Sequence, residues 1–308
     1  NYFIKFARFL EENGNGKLNR NSSDICTNHK VYCEKLKTFF LDCQQRFDVN
    51  YWKLDGFSAR PPQPDPQGNY ISGGYQGMYY VTEHWERWID IFQAMRNQRG
   101  EKRNDLWINL TCYVNPSPWF LQWGNSVWMQ NSQDIGRLNV KRLSQLDQLL
   151  SYRDDRYFDF VKTRAFQFPL AHLYNHDPIY GNTANLAGKM NDDEFRTYLM
   201  MMATRGTAFW ELYYSYNMMN EGQKWVINAD VLHWINDNYE ILKHAKLIGQ
   251  TPAKGTPYGY SAWSGQEGII SVRNPSDEVK EFDFTLDRII GMPEGLKGLY
   301  RTSVWTYR

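Results

Sequence analysis

The sequence predicts an α/β fold, in which a (β/α)8 TIM-type barrel is followed by a small antiparallel β-sandwich. Short apolar runs alternate with amphipathic helical segments as far as residue 250, which is typical of a parallel sheet. After Pro257 the pattern changes to short alternating segments separated by turns such as Asn-Pro-Ser-Asp, which indicates antiparallel strands. We therefore expect a barrel domain over residues 1–250 and a sandwich domain over residues 251–308.

Five apolar segments have the length and composition of barrel strands: 49–55, 106–114, 127–131, 165–173 and 206–213. Helical periodicity predicts helices over 2–12, 28–47, 82–98, 138–151, 154–163, 192–203 and 230–246. In the C-terminal part, strands are predicted over 258–263, 268–273, 281–286 and 299–305. A closed barrel of this type has eight strands. The missing first strands are either weak segments before residue 48 or lie upstream of Asn1; we expect the second, so that N-terminal strands or another chain segment complete the barrel.

The charge and hydropathy patterns exclude two classes of partner. The chain has 308 residues, 35 basic and 34 acidic side chains and a net charge of +1. Because no basic stripe stands out, we expect no nucleic-acid partner, and because no apolar run approaches 18 residues, we expect no membrane span. The four cysteines form no Cys-x-x-Cys pair and are expected to be buried or free thiols. The compartment stays open, with a secreted or periplasmic location favoured over a cytoplasmic one.

The aromatic content indicates a class of ligand. The chain contains 12 Trp, 21 Tyr and 17 Phe residues, which together make 16% of the sequence. Such side chains first of all fill cores. An excess of Trp and Tyr near polar loops also suits carbohydrate, because the C–H faces of sugars stack on aromatic rings.

Two aspartates stand where apolar strands end. Residues 49–56 read Val-Asn-Tyr-Trp-Lys-Leu-Asp-Gly, so Asp55 closes a strand. Residues 126–136 read Ser-Val-Trp-Met-Gln-Asn-Ser-Gln-Asp-Ile-Gly, which places Asp134 shortly after another strand. Barrel enzymes keep their chemistry at the carboxyl ends of the strands, and two carboxylates suffice to break a glycosidic bond. We predict that Asp55 and Asp134 are this pair; the alternatives are a turn-forming or a helix-capping aspartate.

The same segments resemble clan D glycoside hydrolases, which include the α-galactosidases and α-N-acetylgalactosaminidases of families 27 and 36. Asp24-Ile-Cys-Thr, a helix and then Tyr51-Trp-Lys-Leu-Asp-Gly-Phe resemble the nucleophile region of that clan. Trp128-Met-Gln-Asn-Ser-Gln-Asp-Ile resembles the pattern around the acid/base. The resemblance covers roughly residues 22–275 and includes the junction between barrel and sandwich.

The resemblance implies a retaining double displacement, with Asp55 as nucleophile at the end of the fourth barrel strand and Asp134 as acid/base at the end of the sixth. Lys53 would point inward and bond sugar hydroxyls. The loop after the fifth strand would face position 2 of the sugar; it contains Thr111, Cys112 and Asn115. The implied substrate is a terminal α-galactoside or α-N-acetylgalactosaminide, and no metal or organic cofactor is implied. Gln130 stands four residues before the acid, where many family 27 members carry Arg, which leaves the sugar preference open.

Elementary physics agrees with these roles. Alternation along a strand places Lys53 and Asp55 on one face and Leu54 on the other, toward the helices. A nucleophilic carboxylate must be ionised, and a neighbouring ammonium favours the charged form. A general acid must instead keep its proton, so we expect Asp134 to lie in a drier pocket.

Further polar residues at predicted strand ends are candidates for binding the substrate. His176 and Asp177 follow the seventh strand. Glu211 ends the eighth, where it either lines the pocket or forms a structural ion pair. His172 and His176 have His-x-x-x-His spacing without a third ligand, so we expect no metal site.

Tryptophans near these loops are candidates for stacking on a sugar. Trp119 and Trp123 lie beside a proline-containing loop and are the better candidates. Trp52 and Trp210 are expected mainly in the core, and Trp52 is kept among the candidate substrate contacts.

The sequence thus favours a retaining glycoside hydrolase whose partner is a carbohydrate. One alternative is a transglycosylase of the same clan, which passes the same covalent intermediate to a sugar acceptor. Another is a non-catalytic carbohydrate-binding barrel, because a fold does not fix a function.

Overall fold

The computed structural model describes residues 20–21, 24–25, 30–55, 80–100, 105–111, 116–134, 136–138, 143–182, 189–208, 210–303 and 305. The predicted helix over 2–12 lies outside the described residues. Contacts divide the chain into two units, residues 1–130 and 131–308. No helix in the described ranges combines the length and the hydropathy that crossing a bilayer requires.

The first unit is an α/β unit. Its elements are β1 (Arg20–Asn21), β2 (Asp24–Ile25), α1 (Lys30–Phe47), β3 (Tyr51–Asp55), α2 (Tyr80–Arg99), β4 (Trp107–Thr111) and β5 (Ser126–Trp128), with a 3-10 turn at Pro118–Gln122 before β5. β1 and β2 pair antiparallel, whereas β3, β4 and β5 lie side by side in parallel. The helix between β3 and β4 is the crossover that a parallel pair requires. The predicted strand–helix alternation is therefore confirmed in this unit.

The parallel register gives the sheet one polar and one apolar face. Lys53 lies opposite Asn109, and Asp55 lies opposite Thr111. Alternation sends the intervening side chains to the other face, where Leu54 lies opposite Leu110. The predicted separation of Lys53 and Asp55 from Leu54 is confirmed.

The apolar face packs against the helices. The ring of Trp52 meets the edge of Phe40 in α1 at a centroid distance of 4.8 Å, and its indole N–H donates to Gln44 Oε1. The fully buried core side chains of this unit include Leu36, Phe40, Ile91, Phe92, Met95, Ile108, Leu110 and Val127. They recur at intervals of three to four residues along α1 and α2, which is why these two helices were predictable.

The second unit combines helices with an antiparallel sheet. Its elements are α3 (Gln145–Phe158), β6 (Leu173–Tyr174), β7 (Ile179–Tyr180), α4 (Asp192–Thr204), β8 (Tyr213–Tyr214), α5 (Tyr216–Met219), α6 (Lys224–Asp237), α7 (Tyr239–Leu242), β9 (Lys246–Gly249), β10 (Tyr258–Ser264) and β11 (Glu267–Arg273). β7 and β8 pair in parallel, and the sheet order β11-β10-β9 is antiparallel throughout. The predicted strands 258–263 and 268–273 are thus confirmed.

Six predicted segments differ in the structure. The predicted strand 206–213 contains only one strand residue, Tyr213 of β8, among the residues that are described there. The predicted helices 138–151 and 154–163 are a single helix, α3, which begins after Ser144 and ends in a π turn over Asp159–Thr163. The predicted strand 165–173 contains only the two residues of β6. Residues 281–286 form no strand, and neither do residues 299–303. The β-sandwich, the closed barrel and the boundary at residue 250 stay predictions.

The start of α4 is set by its sequence. The Asn191 side chain accepts from the Glu194 backbone N–H at 2.9 Å, and the Glu194 carboxylate accepts from the Asn191 N–H at 2.8 Å, which forms a capping box. We expect Asn191→Ala to lower the free energy of unfolding by about 1 kcal/mol, because one helix N–H loses its acceptor. Urea denaturation measures this loss. Asn236→Ala, an exposed change inside α6, is the control and is expected to stay within about 0.5 kcal/mol of the wild type.

Candidate active site

The acid/base candidate lies in a cluster of titratable side chains in the second unit. Asp134 Oδ1 lies 3.3 Å from His176 Nε2. The other ring nitrogen of His176 contacts Glu211 Oε2, and the Tyr213 hydroxyl lies 3.1 Å from that same nitrogen. The structure therefore brings three predicted site residues together, from segments 35 to 77 residues apart in the chain.

The cluster is buried on one side and open on the other. The side chains of His176 and Glu211 are 13% and 9% exposed, whereas that of Asp134 is 63% exposed. The expectation of a dry pocket around Asp134 is therefore wrong. The carboxylate reaches solvent, and only its imidazole partner is sheltered.

An arginine of α3 holds the loop that carries Asp134 by hydrogen bonds. Arg153 donates to the backbone carbonyls of Gln133 and Asp134, at 3.0 and 2.7 Å, and to Ser132 Oγ at 2.9 Å. The guanidinium is nearly buried, with 4% of its side chain exposed. Because three hydrogen bonds from a single rigid group hold this loop, the position of Asp134 depends on α3.

Asp177, predicted to bind the substrate, is part of a buried ion network. Its Oδ2 accepts from Arg153 Nε and from Arg205 Nη1, both at 3.1 Å. Asp177 thus forms ion pairs with two arginines. They engage its carboxylate, and a contact of Asp177 with the substrate stays a prediction.

The same network continues into the antiparallel sheet. Arg205 Nε donates to Asp154 Oδ1 at 2.6 Å, and neither side chain is more than 1% exposed. The hydroxyls of Tyr258 and Tyr260 on β10 also donate to Asp154. Burial raises the pKa of both tyrosines, with the Asp154 carboxylate adding to the shift, so both hydroxyls stay protonated as donors. Burial lowers the pKa of Arg205, but Asp154 and Asp177 raise it well above its usual value.

In the first unit, the nucleophile candidate closes β3 on the polar face of the sheet. Asp55 is the last residue of the strand, and its side chain is exposed. Buried Asn109 and Ser126 lie on the same face and are joined by hydrogen bonds. Asn109 Nδ2 donates to the Tyr51 hydroxyl at 3.0 Å, and Ser126 Oγ donates to Asn109 Oδ1. The position of Asp55 agrees with the predicted strand end, and its role as nucleophile stays a prediction.

The remaining predicted contacts fall into different environments. Trp52 lies on the helix-packed face, away from Lys53 and Asp55, where it packs between the sheet and α1. Its contact with a substrate stays a prediction. Gln130 is half-buried just beyond β5 and has a φ of 63°, an uncommon backbone conformation for a residue with a side chain. Cys112 and Asn115 lie outside the described residues.

Trp119 keeps the features expected of a stacking residue. It is 38% exposed and belongs to an aromatic cluster. The centroid of its ring lies 4.3 Å from that of Trp123 and 5.6 Å from that of Trp85. The Ser117 hydroxyl accepts from its backbone N–H and fixes the start of the turn that carries it. Its contact with a sugar stays a prediction.

Sequence reasoning missed Arg153 and Tyr213. A signal for Arg153 was present, because Arg153-Asp154-Asp155-Arg156 is a run of four charges inside a helix, and four consecutive residues cover every face of a helix. At least one of these charges therefore had to face the core. Nothing local marks Tyr213, whose partner His176 is 37 residues away. Among the described residues, no three His, Cys, Asp or Glu side chains are arranged to hold a metal ion.

Comparisons with known proteins assign no family. No family model matches the chain, and no curated protein matches it. Among solved structures, the chain is similar to the crystal structure of a noncanonic maltogenic α-amylase, AmyB, from Thermotoga neapolitana, with a TM-score of 0.49 and 14% identity. The match covers 87% of this chain and 61% of that protein, so the chain spans less than two thirds of the length of AmyB.

Proposed function

We propose that this chain belongs to a retaining glycoside hydrolase that cleaves terminal α-linked sugars, with Asp55 as nucleophile and Asp134 as acid/base. The observation that carries the proposal is the setting of Asp134. The Asp134 carboxylate is exposed, so a substrate can reach it, and it lies beside the sheltered imidazole of His176. Arg153 holds the backbone of Asp134 in place. Such a carboxyl group can give a proton to a leaving oxygen and take one from water.

Support for the nucleophile comes from β3. Asp55 ends a parallel strand on the polar face, two residues after Lys53, whose ammonium lies on the same side of the sheet. An exposed carboxylate at the carboxyl end of a parallel strand is where enzymes of this architecture place reacting groups. In a retaining mechanism it attacks the anomeric carbon, and the glycosyl-enzyme ester is then hydrolysed by water that Asp134 deprotonates.

The substrate class follows from the resemblance of the Lys-Leu-Asp-Gly and Trp-x5-Asp-Ile segments to clan D enzymes. We propose a terminal α-galactoside or α-N-acetylgalactosaminide. Exposed Trp119 would stack on the apolar face of the sugar.

A panel of p-nitrophenyl α-glycosides tests the proposal, with galactose, N-acetylgalactosamine and glucose as the sugars. We expect hydrolysis of one of the first two and, by proton NMR of the first product, release of the α-anomer. Release of the β-anomer would show inversion and remove Asp55 from the role of nucleophile. Binding of the sugars without any turnover would favour the carbohydrate-binding alternative.

A further inference from the structure

The imidazole of His176 lies between two carboxylates of unequal exposure. Glu211, on the inner side, is 9% exposed and contacts Nδ1, and Asp134, on the outer side, is 63% exposed and lies 3.3 Å from Nε2. A neutral imidazole offers one donor and one acceptor nitrogen, and an imidazolium offers two donors. An ionised Glu211 carboxylate can only accept a hydrogen bond, so a proton on Nδ1 suits the inner contact and leaves Nε2 to face Asp134.

We propose that His176 and Glu211 hold the proton that Asp134 delivers, so that the Asp134–His176 pair exchanges one proton during each turnover. His176 and Glu211 act through Asp134 and are therefore positioning residues. The inference rests on the proposed function, in which Asp134 is the acid/base.

The exchange balances in both half-reactions. Before glycosyl transfer, His176 carries protons on both nitrogens, and Asp134 is a carboxylate that accepts from Nε2–H. As the glycosidic bond breaks, Asp134 protonates the leaving oxygen and receives the Nε2 proton, which leaves a neutral imidazole still donating from Nδ1 to Glu211. In the second half-reaction, water loses a proton to Asp134 as it attacks the glycosyl-enzyme, and that proton returns to Nε2.

The exposure of Asp134 is what makes this partner necessary. A general acid in a glycosidase usually keeps its proton because its pocket is dry. A carboxyl group that is 63% exposed is well solvated and lacks that support. A sheltered imidazole 3.3 Å from Asp134 supplies a proton source that does not depend on desolvating Asp134. The Glu211 carboxylate contacts the other ring nitrogen.

The groups around His176 agree with this role. The Tyr213 hydroxyl lies 3.1 Å from Nδ1, and the ring of Tyr174 meets the imidazole edge-on at 6.5 Å. The carboxylate of the next residue, Asp177, is occupied by Arg153 and Arg205 and so does not compete for the imidazole. The guanidinium of Arg153 donates to backbone carbonyls of the Asp134 loop.

Leaving-group dependence is the kinetic test. A 2,4-dinitrophenyl α-glycoside needs no proton on departure, whereas a methyl α-glycoside of the same sugar does. We expect His176→Gln to lower kcat/KM at least about 100-fold for the methyl glycoside and less than about 10-fold for the dinitrophenyl glycoside. His233→Gln, an exposed change in α6, is the matched control and should leave both unchanged. An equal loss for the two substrates would indicate a merely structural role and overturn the inference.

Nitrogen NMR of the imidazole tests the proton exchange without any substrate. We expect Asp134→Asn to shift the Nε2 resonance of His176, and Glu211→Gln to shift the Nδ1 resonance. An Nε2 resonance of His176 that is unchanged by Asp134→Asn overturns the inference, whatever the kinetics. If no glycoside is hydrolysed at all, the proposed function fails, and the NMR arm alone decides whether the two side chains share a proton.

Discussion

Asp55→Asn is expected to reduce hydrolysis of the cognate aryl α-glycoside on the order of 10⁴-fold or more, while the sugar still binds. The amide oxygen is a poor nucleophile, so the covalent intermediate cannot form. The side chain keeps its size, and because Asp55 is the exposed last residue of β3, the change disturbs no core packing. Initial rates give the loss in turnover, and equilibrium binding of the free sugar shows that the site persists.

Asp42→Asn is the matched control for that experiment. It makes the same chemical change in the same unit, at an exposed position of α1 where the carboxylate pairs with Arg46. We expect normal turnover from it. Undiminished hydrolysis by Asp55→Asn would reassign the nucleophile, and azide-dependent recovery of activity in Asp55→Gly would confirm it, since a small anion can occupy the space of the lost carboxylate.

The sheet of the first unit was predictable because its signals are local. Alternation along Lys53-Leu54-Asp55 depends only on strand geometry, and the helical periodicity of α1 and α2 is visible in any window of 11 to 18 residues. The polar and apolar faces therefore followed from the sequence, together with the strand-end position of Asp55.

The second unit was less predictable where pairing and burial decide the structure. Residues 165–173 alternate like a strand, yet Phe166 and Phe168 contact Phe160 of the preceding π turn, at centroid distances of 4.8 and 5.5 Å. Local packing against the end of a helix thus takes the place of strand pairing. Alternation of apolar and polar residues in the sequence does not distinguish a paired strand from a segment that packs against a helix end.

The candidate site was predictable in its members but not in its contacts. Asp134, His176 and Glu211 were each selected as polar residues at strand ends. Their convergence depends on pairs separated by 35 and 42 residues, which no local pattern encodes. The sequence also does not show that neighbouring residues have different partners. Asp177 pairs with two arginines, whereas His176, the residue before it, contacts the carboxylates of Asp134 and Glu211.

The buried ion network predicts a large loss of stability in Arg205→Met. Arg205 and Asp154 are at most 1% exposed, and the guanidinium also bonds Asp177. Removing a single partner of a buried pair leaves an uncompensated charge, which costs about 3–5 kcal/mol. We expect a fall of that size in the free energy of unfolding, measured by urea denaturation.

Two variants separate this effect from the loss of a surface charge. Arg288→Met removes a guanidinium that is 77% exposed and paired with Glu294, and it should cost less than about 1 kcal/mol. Adding Asp154→Leu to Arg205→Met removes the stranded carboxylate, so it should recover part of the loss. Equal stability of Arg205→Met and Arg288→Met would mean that the network contributes no more than a surface pair. Asp177 links Arg205 to Arg153, and Arg153 holds the backbone of Asp134, so the buried network connects to the loop that carries the proposed acid/base.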